Sequence, residues 1–187
     1  MNAQRGFSLL EVLVSMLVIM FGLLGIANMQ MLAVSNTETG RYNSMAAMFA
    51  SDMAARMQGN KAYWGAPANS ISVSGGTVTN GPAATSKNCA SVSCSGPELA
   101  YYDLKNWGAS LVGSVNGTVA SQGLPGGNAA IACNTASSPT VCTLTINWTE
   151  KNIGLTTPTV ATSSPTGNLA TGTSSTHSHQ TLVSIPQ

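Results

Sequence analysis

Residues 5–20 read "RGFSLLEVLVSMLVIM": an apolar run directly behind a small residue, with one carboxylate, Glu11, near its start. From residue 7 to residue 34 Glu11 is the only ionisable side chain, and the other polar residues are Ser8, Ser15, Asn28 and Gln30. A helix spans the hydrocarbon core with about 20 apolar residues, and this run supplies them. Arg5 stands on its N-terminal side, so the positive-inside rule predicts that residues 1–6 stay in the cytoplasm and the rest is translocated. A carboxylate in such a helix costs about 2.5–3.5 kcal/mol at mid-bilayer, less near the interface, and usually marks function. Glu11 therefore reads as a working residue.

Helical periodicity continues past the apolar run. Tyr42, Met45, Phe49 and Met53 recur at i, i+3, i+7 and i+11, with Ala46, Ala50 and Met57 beside them. No proline occurs before Pro67, and Gly59-Asn60 is a stop signal. One helix over about residues 7–58 is predicted. Its first half (7–34) belongs in lipid or among other helices, and its second (35–59) carries a stripe for a domain to pack on. The methionines in that stripe read as ordinary core.

Residues 60–187 read as a globular domain. "SISVSGGTVTN" predicts a hairpin, with Ile71, Val73 and Val78 on its strands and Gly75-Gly76 at the turn. "SGPELAYYDLKNWGASLV" predicts a second helix, with Ser95 and Glu98 as a capping box and Ala100, Leu104, Trp107 and Leu111 as its apolar face. In "LPGGNAAIACNTASSPTVCTLTINWTE", Cys142, Leu144, Ile146 and Trp148 alternate with Thr143, Thr145 and Asn147, the mark of an antiparallel strand with one buried face. Residues 154–178 are rich in Thr, Ser, Pro, Gly and Ala and read as a flexible excursion, and "TLVSIP" after it as an edge strand.

The totals exclude several classes of function. Only 7% of the 187 residues are charged and the net charge is +1, so no basic surface tracks a phosphate backbone and nucleic-acid binding is not expected. Cys89, Cys94, Cys133 and Cys142 all lie beyond the apolar run, are even in number, and suit an oxidising compartment. Their intervals, C-x4-C and C-x8-C, do not suit zinc. Cys133 shares the inward phase of Ile131 and faces Cys142 across a short loop, so 133–142 and 89–94 are the natural bridges; the spacing by itself leaves the crossed pairings open. His177 and His179 read as solvated, and Glu38, Asp52, Glu98, Asp103 and Glu150 as surface charges, with Asp103 beside Lys105 or Asn106. No P-loop, dinucleotide fingerprint or nucleophile elbow is present, so neither catalysis, cofactor nor metal is expected.

A secretory signal places its small-residue cleavage site after the apolar stretch; here Gly6 comes before it. "RGFSLLEVLV" resembles the type IV prepilin motif at every position. The resemblance implies that residues 1–6 are a leader, that Gly6–Phe7 is the cleaved bond, that Phe7 is the methylated first residue, and that Glu11 is the carboxylate guiding assembly. With "DMAARMQGN", "YYDLKNW", "LPGG" and "LTINWTE" in that order, the chain is similar to minor pilins of the PilV kind, the type IV pilus modification proteins. It departs from major pilins in lacking a proline in the N-terminal helix and in its four differently placed cysteines.

The resemblance implies an α+β pilin fold, a single inner-membrane pass with a periplasmic domain, and incorporation into a pilus. The implied partners are other minor and major pilins, the prepilin peptidase and the inner-membrane assembly machinery. A pseudopilin of a type II secretion system shares the N-terminus. A tip adhesin or DNA receptor is the rival of another class, and the scarcity of basic residues disfavours DNA. Mass spectrometry of the membrane-purified protein should show a chain that begins at methylated Phe7; a start at Met1, or beyond the apolar run, would contradict that processing.

Overall fold

The structure, a computed structural model, describes residues 8–67, 70–115, 118–119, 123–136, 138–151 and 174–186. Helix α1 occupies Leu9–Gly59. It ends where Asn60 turns its N–H back to the carbonyls of Arg56 and Met57, at 3.2 and 3.3 Å, and α2, the single turn Lys61–Trp64, then buries Trp64. Strands β1 (Ser70–Ser74) and β2 (Thr77–Thr79) form the first hairpin. Gly75 and Gly76 make its turn at φ of 55° and 83°, a left-handed region that costs glycine little.

Helix α3 is Gly96–Leu111. A two-residue ribbon follows, β3 (Ser114–Val115) with β4 (Thr118–Val119), which the sequence pattern does not announce. Strands β5 (Asn128–Asn134), β6 (Thr140–Lys151) and β7 (Ser174–Ile185) complete an antiparallel sheet of order β2-β1-β5-β6-β7. The fold is α+β: an N-terminal apolar helix, further helices, and a small five-stranded antiparallel sheet that fits the pilin fold.

The chain divides into two units, Met1–Gly40 and Arg41–Gln187. The core belongs to the second. Ala46, Ala50, Met53 and Met57 of α1 are buried together with Ile71 and Val73 of β1, Ile131 of β5, Leu144, Ile146 and Trp148 of β6, and Val183 and Ile185 of β7. The apolar face of α3, Ala100, Leu104, Trp107 and Leu111, is buried too. Each Val, Leu, Ile or Met side chain among them contributes roughly 1.5–3 kcal/mol by leaving water, and each alanine less. Gly108 sets how closely α3 approaches β1, because a Cβ there would run into Val73 Cγ1.

Polar groups drawn into this core are satisfied. Trp107 Nε1 donates to the Phe49 carbonyl at 3.0 Å. Asn60 Nδ2 donates to Gly96 O at 2.7 Å, and the hydroxyl of buried Thr140 donates to Gly65 O at 2.7 Å. Cys133 and Cys142 are register partners on the inner face, bridged with Cα atoms 3.9 Å apart. Cys89 and Cys94 form a second bridge in the loop before α3.

One expectation needs correcting. Of the excursion expected over 154–178, residues 154–173 lie outside the described residues, but 174–178 begin β7 and are strand. The reason is the length of β6. Its residues through Lys151 offer each residue from Ser174 on a register partner, and a strand held by backbone hydrogen bonds needs no apolar side chains on its watery face.

At the start of α3 the Ser95 N–H donates to Glu98 Oε2 at 2.9 Å, the reciprocal half of a capping box, and Lys87 Nζ lies 2.6 Å from Glu98 Oε1. The bond from Lys87, followed by those from Ser95, lowers the Glu98 carboxyl from its ordinary 4.5 to about 2. A depressed carboxylate adds stability that is fully present above its unfolded pKa and is lost as pH falls through the folded one. Protection of the first α3 amides against hydrogen exchange should therefore hold above pH 4.5 and decline toward pH 2. A Glu98→Gln variant should show no such decline in that window.

Candidate functional site

The N-terminal turn of α1 is organised around Ser8. Its carbonyl accepts from the N–H groups of Glu11 and Val12 at 3.0 and 3.3 Å, and its hydroxyl accepts from the Leu10 N–H at 3.3 Å. Ser8 thereby satisfies donors that the first turn of a helix leaves unpaired. Glu11 falls in that first turn, where its negative charge sits against the positive end of the helix dipole. Ser15 Oγ donates to the Glu11 carbonyl, which keeps this hydroxyl paired within the apolar helix. Among the described residues no ion pair involves Glu11.

From Leu9 to Ala27 the helix has a mean hydropathy of 2.5, and none of it is buried. Leu9, Leu13, Leu17, Phe21 and Leu24 are all exposed, Leu9 to 84%. This stretch is long and apolar enough to cross a membrane. A solvated apolar surface of this size on all sides of a helix requires lipid or other helices around it. Among the described residues, an added Cβ at Gly22 or Gly25 would meet nothing within 4 Å. Gly6 and Phe7 lie outside the described residues.

The charged groups of the domain are arranged differently from the scattered surface charges expected. Glu150, which follows the inward-facing series of β6, is buried to 7% exposure. Its Oε1 accepts from Trp148 Nε1 at 2.7 Å, and its Oε2 lies 3.8 Å from His177 Nε2. His177 stacks on the Trp148 ring at 5.9 Å and shares a hydrogen bond with Ser175 Oγ at 2.9 Å. His177 and His179 thus sit on β7 and not in a solvated tail. The period-two alternation of β6, carried one step beyond Trp148, was the signal that placed Glu150 inside.

Asp103 pairs not with a neighbour in sequence but with Arg56 of α1, at 3.0 Å, and Arg56 also holds Asp52 at 3.1 Å. Burial raises the Asp103 carboxyl from its ordinary value, against the lowering effect of Arg56. Only the fold brings residues 56 and 103 together, so no local pattern could have found the pair. Among the described residues no group of three His, Cys, Asp or Glu side chains could hold a metal ion.

In comparison with known families, residues 1–27 match the prokaryotic N-terminal methylation motif. No curated protein and no solved structure matches the chain. The motif supports a type IV pilin-like protein, in the general sense that takes in pilins and pseudopilins. It implies a prepilin peptidase substrate, a pilus or secretion assembly context, and a structural rather than an enzymatic role. The apolar helix with this motif fits a membrane-anchored pilin.

The Glu150 cluster can be tested directly. Glu150→Ala strands the buried Trp148 N–H without its acceptor, which costs about 1–3 kcal/mol, whereas Glu150→Gln keeps a carbonyl acceptor in place and should cost less. Urea unfolding followed by circular dichroism separates the two outcomes.

Proposed function

We propose that this chain is a minor pilin that primes, assembles or modifies a type IV pilus. The observation that carries the reading is Glu11: one carboxylate in the first turn of α1, within the apolar and unburied stretch Leu9–Ala27, placed shortly behind Gly6-Phe7. In this reading residues 1–6 are the leader, the peptidase cuts between Gly6 and Phe7, and Phe7 is methylated. Residues 7–34 form the membrane and filament-core half of the helix, 35–59 its amphipathic half, and 60–187 the periplasmic domain. The partners are other minor and major pilins and the inner-membrane assembly machinery.

Cleavage leaves an amine on Phe7, about one helical turn from Glu11. In a lone helix the two partly satisfy each other, with imperfect geometry. In a filament the incoming amine lies beside the Glu11 carboxylate of a neighbour. A dry ion pair adds little over an apolar contact, yet removing one partner costs about 3–5 kcal/mol. Glu11 therefore acts as a register mark that penalises any docking leaving it unpaired.

The same motif would serve a minor pseudopilin of a type II secretion system. A clean deletion scored for surface pili, twitching motility and protein secretion separates the two readings. Glu11→Ala should leave leader cleavage and membrane insertion intact, because it only makes the helix more apolar. It should sharply reduce recovery of the protein in sheared pili and its complementation of the deletion. Normal incorporation of Glu11→Ala would show that the carboxylate is dispensable for assembly.

A further inference from the structure

The two edges of the sheet are unlike. At one end stands β2, only 3 residues long. At the other stands β7, 12 residues long and paired on one side only among the described residues, through an unbroken register from Lys151↔Ser174 to Thr140↔Ile185. Natural sheets blunt exposed edges by shortness, by charge, by proline or by a bulge. The β2 edge uses the first of these devices. The β7 edge uses none. Its sequence, "SSTHSHQTLVSI", has no Asp, Glu, Lys, Arg or Pro, and the unbroken register leaves no room for a bulge. On its outer face Ser178, Gln180 and Leu182 are all exposed, Leu182 to 70%.

We propose that the outer edge of β7 over residues 176–185, paired on one side only among the described residues, pairs antiparallel with β7 of a second copy of this chain, joining two five-stranded sheets into one. The choice of occupant follows from the edges. A strand added to β7 must offer a comparably long run of unpaired backbone, and the other edge of this sheet offers 3 residues. Pairing of β7 with β2 would also repeat head to tail into an open fibre, whereas β7 with β7 closes on a two-fold axis. Strand addition of this kind draws its affinity from main-chain hydrogen bonds. No register brings Asp, Glu, Lys or Arg side chains of the two β7 strands into opposition, because β7 has none; its titratable groups are His177 and His179. The inference does not depend on the filament reading, since it rests on the sheet alone.

The test uses the full chain, purified from membranes in detergent, with its mass measured by light scattering after correction for the micelle. A protein mass of twice the 19.0 kDa chain is expected. The double variant Ser178→Lys with Gln180→Lys puts like charges along the paired edge. It should weaken the dimer at least about tenfold, while Thr77→Lys with Thr79→Lys on the β2 edge leaves it unchanged. Should the first variant fail to fold, Leu182→Lys replaces it. Hydrogen exchange should show β7 amides whose protection falls on dilution together with the dimer. A monomer overturns the proposal, whether its β7 amides exchange freely or are covered by the chain itself. A dimer indifferent to every β7 variant is held by other surfaces and overturns it equally, as does open-ended assembly.

Discussion

The domain depends on the packing of one face of α1 against the inner face of the sheet. Ala46 and Ala50 are small and Met53 and Met57 are adaptable, and all four are buried in the core that Ile71, Ile131, Leu144 and Ile146 complete. The unbranched thioethers fill irregular space between this helix face and the side chains of the sheet. Helix α3 is fixed to the same helix, by the Trp107 N–H on the Phe49 carbonyl and by Arg56 on Asp103. The indole bond fixes how α3 lies along α1, and the partly exposed ion pair adds little stability of its own.

The same helix has a second obligation at its other end. Among the described residues nothing buries the stretch Leu9–Ala27, and an apolar surface of this kind is met by lipid or by helices of other molecules. One element thus joins a conventional core, built by residues 46–57, to a surface that only an assembly or a bilayer completes. A register device in that setting has to be polar, since apolar contacts slide with little penalty while an unpaired charge does not. In the proposed reading Glu11 is that device, and it stands in the first turn of α1 beside the polar Ser8 cap.

Much of this was legible in residue order. The apolar run, its lone carboxylate and the glycine ahead of it lie within twenty residues; hydropathy marks the span, and the reading of Gly6 and Glu11 comes from the resemblance to the prepilin motif. The β1–β2 turn at Gly75-Gly76 and the apolar face of α3 are likewise local, because positive φ and a 3.6-residue period leave direct marks in sequence. The long α1 followed from the absence of proline before Pro67.

What the tertiary structure decided was the partnership of polar residues distant in sequence. Ser174 to Ser178 read as an unstructured polar tract until β6, extended through Lys151, supplied a register partner for each of them. Glu150 read as a surface charge until Trp148 and His177 enclosed it, and Asp103 read as a local pair until α3 packed against Arg56. Apolar patterns are legible because burial repeats with the period of the element itself. A hydrogen bond or ion pair between distant segments carries no period, and its partner is fixed only when the packing brings the two segments together.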